Sequence, residues 1–381
     1  MEDLSPNLTI YKDGFGVVRR SDFVIFSVET AHLCSVVEKF GPSMKVGSIA
    51  CGQTSVKMIE IDAFEAFLPE DVHIVTCHSM HGPTVNPKGQ PLVVINHRSS
   101  KQKYDIALSI LETLKSEMVF LTGKEHDRIT ADTQAATHLA FLSMGTAWKT
   151  HATFPWEHPS YSKSIENVKI LITLRIYASK WHVYAGLAMM NPDALAQIQQ
   201  YSKSVSELFK LMLLENEAEF VARIKKAREF VFVFDRKPIM LSDSLLDQFS
   251  LSEVPKDKRK PNSHLSLLAV VDCWYQLKIQ PYDHLICETP PFRLLLGIAE
   301  YLFRNDEMLD ESIHAALYDK SIRADDCEFY TAAKGWVETI AFGGEDAYKQ
   351  RFESTADFFK ERAASGRRES ARLIEFIAQK G

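Results

Sequence analysis

Short runs of valine, isoleucine and phenylalanine alternate with helix-spaced apolar residues between Asp22 and Leu121. Phe23–Val28, Val46–Cys51, His73–Cys77, Leu92–Asn96 and Met118–Leu121 read as strands, with helices over 31–40, 56–67 and 102–115. The strand runs are nearly continuous rather than strictly alternating, as expected of strands covered on both faces. The pattern predicts a parallel, doubly wound α/β unit. Beyond Lys124 the strand signals almost vanish, and segments of period 3.6 take over at 126–149, 166–190, 193–213, 215–231, 264–277, 290–304, 328–342 and 345–364. Asn191-Pro192 divides two of them, because proline lacks the amide a continuing helix needs. The irregular stretch Asp235 to Ser263 reads as a flexible connection within this half. The expected organisation is therefore a Rossmann-like sheet domain over 1–124 followed by a large all-α domain over 125–381.

With 381 residues and 46% apolar content the chain can bury a large core. A net charge of −6 argues against a nucleic-acid partner, which needs a basic excess concentrated on one face. The one dense basic run, Lys256 to Lys260, lies between Pro255 and Pro261 and reads as a solvated linker. Six cysteines without a CxxC pair indicate neither a zinc ribbon nor a disulfide framework, and fit a reducing compartment. The first residues lack the basic start and apolar stretch of a secretory signal, and no run reaches the roughly 18 apolar residues of a membrane span. A cytoplasmic protein is expected.

Three successive strands end in polar residues: Ser27-Val-Glu29, Gly52-Gln-Thr-Ser55 and His78-Ser-Met-His81. Ligands of open α/β sheets gather beyond the carboxyl ends of strands, although exposed loops are also polar for no further reason. His78 suits proton chemistry, because an imidazole titrates near working pH. A histidine that merely caps the loop would occupy the same place, and His81 reads as such a supporting residue. On the helix from His126, residues Thr130, Gln134 and His138 recur at intervals of four, giving a polar stripe that is either a solvated face or the lining of a cleft. Arg175 lies in the apolar run Ile170-Leu-Ile-Thr-Leu-Arg-Ile-Tyr177, so its guanidinium must reach solvent, pair with a carboxylate of the protein, or receive an anionic ligand. The sequence contains no HExxH, GxSxG or P-loop pattern, leaving zinc hydrolase, α/β-hydrolase and NTPase readings without support, and no metal is expected.

Taken together, Val75-Thr-Cys-His-Ser-Met-His-Gly82, Asn86-Pro-Lys-Gly-Gln-Pro91, Glu125-His-Asp-Arg-Ile-Thr-Ala-Asp132, Leu174-Arg-Ile-Tyr-Ala-Ser-Lys-Trp-His-Val-Tyr184 and Pro261-Asn-Ser-His-Leu-Ser-Leu-Leu268 resemble the prephenate dehydrogenases, specifically the NADP-dependent fungal form of tyrosine biosynthesis. The resemblance runs over essentially the whole chain. It implies hydride transfer from the ring carbinol of prephenate to NADP, with loss of the ring carboxylate as carbon dioxide. It implies His78 as the catalytic group taking up the hydroxyl proton, with Ser55 beside the ring and nicotinamide. It further implies Lys57, Gln134, His138 and Arg175 on the substrate, Arg175 and Lys57 toward carboxylates, and Ser27, Val28 and Ser55 on the cofactor. A homodimer built by the helical half is implied as well. The pattern departs from bacterial relatives at Gly52, where they carry aspartate, at Ser79, where they carry proline, and at Gln134-Ala135.

A dinucleotide fold opens with a strand, a G-x-G-x-x-G turn and a helix N-terminus that holds the pyrophosphate. None of these precedes Asp22, and Gly14-Phe-Gly16 lacks the third glycine and reads as a decoy turn. The expectation is an N-terminally incomplete dinucleotide domain with an apolar strand edge at Phe23–Val28, giving no NADP reduction until an upstream segment is restored. Two alternatives stand beside it: a non-catalytic, dimerising ligand-binding protein, and an arogenate dehydrogenase.

Overall fold

The computed structural model describes residues 7–82, 85–152, 154–161, 164–233, 239 and 260–380. The chain forms two compact units, Met1–Asp127 and Arg128–Gly381, with the boundary three residues from the expected one. Most of the irregular stretch 235–263, including Lys256 to Arg259, lies outside the described residues.

The first unit carries five strands in the order β1 (Phe23–Phe26), β2 (Ile49–Gly52), β3 (His73–Ser79), β4 (Pro91–Arg98) and β5 (Glu117–Phe120). Helices α2 (Thr30–Phe40) and α3 (Lys57–Phe67) cover one face, and α4 (Lys101–Leu111) covers the other. Alternation along the strands explains the two cores. Ala50 and Ile74 join Leu33, Val37 and Phe64 on one side, while Cys51, Val75 and Cys77 join Ala107 and Leu111 on the other. The sheet is not wholly parallel as expected: β1, β2 and β3 run parallel, β4 runs antiparallel to β3, and β5 runs parallel to β4. The eleven residues between Ser79 and Pro91 are too few for a crossover helix, so the chain turns back beside the strand it has just left. At the sheet edge, β1 leaves Ile25 exposed. Gly14 opens a five-residue helix, α1 (Gly14–Val18), whose Gly16 amide donates to the carboxylate of Asp13.

The second unit is helical among its described residues. After α5 (Gly123–Thr130), which crosses the unit boundary, the chain passes through a π-helical turn (Ala131–Ala135) into α6 (Ala136–Thr150). Then come α7 (Ser164–Tyr177), α8 (His182–Met190), α9 (Pro192–Leu213), α10 (Glu217–Val231), α11 (Leu265–Leu277), α12 (Pro290–Arg304), α13 (Asp306–Tyr318), α14 (Arg323–Glu338), α15 (Gly344–Phe358) and α16 (Lys360–Lys380). Helices α6, α7 and α11 are buried nearly all round, and supply Leu139, Phe141, Ile170, Leu174, Leu268 and Trp274 to a single core. The run from Leu265 to Trp274 is thus buried within one chain.

The expected 166–190 segment is two helices, because α7 stops at Tyr177 and the exposed carbonyl of Ala178 receives the Arg367 guanidinium instead of an amide one turn on. Helix α13 is an addition to the expected set. Acidic residues crowd its first turn and blur the apolar pattern, yet the Asn305 side chain accepts from the Met308 amide and starts it. The expected 345–364 segment breaks at Phe359, whose aromatic ring is buried against Trp148 and Trp156, and α16 continues to Lys380.

Helices α6 and α7 approach closely at Gly145, where an added Cβ would overlap the Tyr177 ring and press on Thr173. Gly145→Ala is expected to destabilise the helical unit by about 1–3 kcal/mol despite its better helix propensity, as read from urea unfolding. Unchanged or higher stability would show that the two helices can separate without loss.

Candidate active site

The first unit builds a hydrogen-bonded chain of three side chains. Asp127 reaches the N-terminus of α3, where its Oδ1 accepts from the Lys57 amide at 2.7 Å and its Oδ2 from the Met58 amide at 2.9 Å. A carboxylate is favoured there, since the first amides of a helix have no partner within it. The same Oδ1 lies 2.8 Å from Nδ1 of His126, and Nε2 of His126 lies 2.8 Å from Nδ1 of His78. An ionised carboxylate can only accept, so His126 carries its proton on Nδ1 and accepts at Nε2. His78 must then donate from Nδ1, which leaves the lone pair of its Nε2 as the outward base. Burial holds the pKa of His78 well below the ordinary value, and the neighbouring His126, Lys57 and His81 lower it further. Burial also lowers that of His126, against the opposing hydrogen bond to Asp127. Both imidazoles are neutral near pH 7, and His78 is half-buried at the end of β3, able to take one proton.

The loop from Gly52 to Val56 wraps a second buried group. Glu60 accepts from Nζ of Lys57 at 2.8 Å, from the Thr54 amide at 3.2 Å, from the Thr54 hydroxyl at 2.7 Å, and from the Thr76 hydroxyl. Lys57 also donates to the Gly52 carbonyl and to Thr76. Lys57 and Glu60 are both fully buried, so the expectation that Lys57 meets a substrate carboxylate is corrected. Its ammonium is already paired with a carboxylate of its own helix, and a buried pair of this kind is costly to break. Gly52 is required by the same arrangement, because a Cβ at this position would overlap the carboxylate of Glu60.

Ser55 is half-exposed in this loop, Ser27 is exposed and Val28 half-buried after β1. These strand ends fit the hydride-accepting end of a dinucleotide. Its pyrophosphate needs free amides at a helix N-terminus, and in the one closely spaced glycine pair before β1 the Gly16 amide is taken by Asp13. His81 meets the carbonyl of Gly82 at 3.1 Å, in keeping with a supporting role.

In the helical unit the polar stripe is not a solvated face: Thr130, Gln134 and His138 are all buried. The π-helical turn over Ala131–Ala135 widens the helix under Gln134, so the spacing of four no longer aligns the three residues as a regular helix would. Nε2 of Gln134 has no hydrogen-bond partner. The His138 ring stands edge-on to Tyr184, with centroids 4.8 Å apart, and burial alone lowers its pKa to about 4. Arg175 is partly buried, and among the described residues no carboxylate lies within ion-pair distance of it. Its guanidinium shares its surroundings with Tyr184 and with a second cation, Arg367. The structure thus brings together His138, Tyr184, Arg175 and Arg367, an arrangement suited to an anion.

Four of these residues escape sequence reasoning. His126 and Asp127 lie within a quoted motif, but their link to His78 joins positions 48 residues apart. Tyr184 and Arg367 reach Arg175 from helices distant in sequence.

A family model described as "6-phosphogluconate dehydrogenase C-terminal domain", in its form for tyrosine-pathway proteins, matches residues 135–379. The chain is 50% identical over 375 residues to the "Probable prephenate dehydrogenase [NADP(+)]" of Schizosaccharomyces pombe, a match covering 97% of this chain and 87% of that protein. It is 49% identical over 364 residues to the "Prephenate dehydrogenase [NADP(+)]" of Saccharomyces cerevisiae, covering 93% and 80%. A looser likeness, with a TM-score of 0.44 and 17% identity over 56% of this chain and 77% of the other, is to the crystal structure of prephenate dehydrogenase from Aquifex aeolicus.

His138 gives a pH test. Its neutral form is favoured in the folded state, with a pKa of about 4 against 6.5 when unfolded. The stability this contributes is complete above pH 6.5 and is lost as pH falls toward 4, by about 3 kcal/mol. His138→Gln is expected to flatten that part of the stability–pH curve in urea titrations; an unchanged slope would place the proton uptake elsewhere.

Proposed function

Because the chain belongs to the NADP-dependent prephenate dehydrogenase family, we propose that it carries out the oxidative decarboxylation of prephenate to 4-hydroxyphenylpyruvate in tyrosine biosynthesis, with His78 as the proton acceptor. NADP, when bound, accepts the hydride from the ring carbinol carbon. The carbinol hydroxyl donates to Nε2 of His78, which takes its proton as the carbon–hydrogen bond breaks. The ring carboxylate then leaves as carbon dioxide, and its bonding electrons complete the aromatic ring. Asp127 and His126 keep the lone pair of His78 on Nε2 and disperse the positive charge that arrives with the proton. The observation that supports this role best is the run of 2.8 Å contacts from Asp127 through His126 to His78.

Prephenate is a dianion, and Arg175 is proposed to bind one of its carboxylates bidentately, with Arg367 adding to the local positive field. His138, Tyr184 and the unpartnered amide of Gln134 would complete the polar and aromatic lining. Ser55 is proposed to sit by the ring and nicotinamide, with Ser27 and Val28 along the cofactor. Two further parts of the reading have their own support. A homodimer through the helical unit is supported by exposed Leu214, Ile286 and Phe342 there, and light scattering tests it. A reducing cytoplasmic setting is supported by six unpaired cysteines, two of which, Cys51 and Cys77, lie 3.5 Å apart without a bond.

Two assays test the central reading. In calorimetry, prephenate is expected to bind, and Arg175→Ala to weaken binding about 10–100-fold, the equivalent of a charged hydrogen-bonded pair. Equal binding by the variant would remove Arg175 from the site. In NADPH formation, His78→Asn is expected to lower kcat roughly 10²–10⁴-fold. Asp127→Asn, a positioning change, is expected to lower kcat about 10–100-fold and to move the acid limb of the kcat/KM profile to lower pH. That limb should lie below the ordinary histidine value in the parent, because activity needs neutral His78 and its pKa is depressed. A limb unmoved by Asp127→Asn would dissociate the relay from catalysis. Turnover by the 381-residue chain itself would set aside the expectation of inactivity drawn from the absent glycine turn. Prephenate binding without any turnover would favour the ligand-binding alternative, and faster turnover of arogenate would favour the other.

A further inference from the structure

The motif Pro261-Asn-Ser-His-Leu-Ser-Leu-Leu268 has no part in the chemistry above, yet it builds a polar cluster inside the helical unit. Asn262 bridges two turns, accepting from the His264 amide at 2.8 Å and donating to the Ser160 carbonyl at 3.0 Å. His264 is held in the left-handed region at φ +49°, which a non-glycine residue adopts only when its surroundings enforce it. That conformation sends its ring to Glu166 and Lys169 of α7: Nδ1 lies 2.9 Å from Oε1 of Glu166 and 3.1 Å from Nζ of Lys169, which itself pairs with Glu166 at 2.9 Å. Ser263 donates to Oδ1 of Asp326 on α14 at 2.6 Å and caps α11 by accepting from the Leu265 amide.

These groups line a pocket of about 370 Å³, open on one side, whose walls include Trp148, Tyr161 and Phe329. Glu166 and Lys169 lie six to nine residues before Arg175 on α7, about 9–14 Å along the axis at 1.5 Å per residue. Two carboxylate oxygens on the pocket lining lack any hydrogen-bond partner: Oε2 of Glu166 and Oδ2 of Asp326. Both residues are more than nine-tenths buried. A buried acceptor left unmatched costs on the order of 1–3 kcal/mol, more when charged. Carboxylates outnumber cations around the space, since Glu166, Asp325 and Asp326 face Lys169 alone among the lysines and arginines of the lining. Among the described residues no set of three side chains is arranged to hold a metal ion.

We propose that this pocket is a binding site for a small primary ammonium, its N–H groups donating to Oε2 of Glu166 and Oδ2 of Asp326 and its apolar body resting against Trp148, Tyr161 and Phe329. The aromatic walls favour a cation that keeps a hydrocarbon portion. Asp326 makes the site sensitive to pH. Burial pushes its pKa up to about 7, with Asp325 adding to the rise and Ser263, Arg323 and Lys169 opposing it. Burial acts to raise that of Glu166 too, but Lys169 and His264 outweigh it and hold the group below the usual value. The remaining titratable neighbours are His151, paired with Asp325 at 2.7 Å, and Tyr161. A bound cation stabilises the ionised form of Asp326, so binding releases a proton near pH 7 and strengthens as pH rises from about 6 to about 8.

The test is calorimetric titration of the 381-residue protein with ethylammonium chloride at about pH 6, 7 and 8, in two buffers of different ionisation heat. Sodium and tetramethylammonium chlorides, the latter lacking N–H groups, serve as controls. The expected result is one site per chain, release of about half a proton at pH 7 and no saturable heat from either control. Asp326→Asn is expected to weaken binding at least roughly 10-fold and to abolish the proton release, and Ala147→Leu, which fills the pocket, to remove binding. Saturation indistinguishable from tetramethylammonium, or no saturation with the parent protein at the highest pH, overturns the proposal and leaves a pocket that holds water only. Binding without proton release would remove Asp326 from the site.

Discussion

The carboxylate of Asp127 meets two demands with one group. It completes the N-terminus of the helix that follows β2, and it fixes which nitrogen of His126 carries a proton. Because hydrogen-bond direction propagates through two imidazoles, a capping interaction at a helix end determines the basic atom of His78. Removing the carboxylate would leave both rings free to choose the other tautomer. The base of the proposed reaction therefore depends on an interaction that also holds α3 against the start of α5. Fold and chemistry are coupled at the same residue.

The second buried cluster explains a departure from bacterial relatives. Lys57 follows a loop in which glycine stands where those relatives carry aspartate, and Glu60 brings its carboxylate into the space a side chain at position 52 would fill. The local charge balance is kept by relocating the carboxylate one helical turn along. Lys57 thereby belongs to the loop's architecture. The shape of the Gly52–Val56 turn, and with it the placement of Ser55, then rests on four hydrogen bonds to Glu60 rather than on a ligand.

Strand positions were readable because runs such as Phe23–Phe26 and Ile49–Gly52 are covered on both faces and carry apolar residues almost continuously. The antiparallel β4 was not, since direction depends on connection length and not on composition. His78 and Arg175 stood out because a polar group beside an apolar run is conspicuous. His126 did not, because a histidine in a charged helix start resembles any solvated residue, and only the tertiary structure reveals it as fully buried. The π-helical turn at Ala131–Ala135 is equally silent in the sequence, where Thr130, Gln134 and His138 keep a regular spacing. Glu60 and Arg367 carry ordinary surface chemistry, and become informative only when the fold closes around them.

The tautomer of His78 is the most direct test of the central claim. Nitrogen-15 NMR of histidine-labelled protein at about pH 7.5, above the ordinary histidine value, is predicted to show His78 neutral, with a protonated Nδ1 and an unprotonated Nε2, and His126 in the same form. Asp127→Asn should convert one or both rings toward the other tautomer. A His78 signal with the proton on Nε2, or with both nitrogens protonated at that pH, would contradict the account.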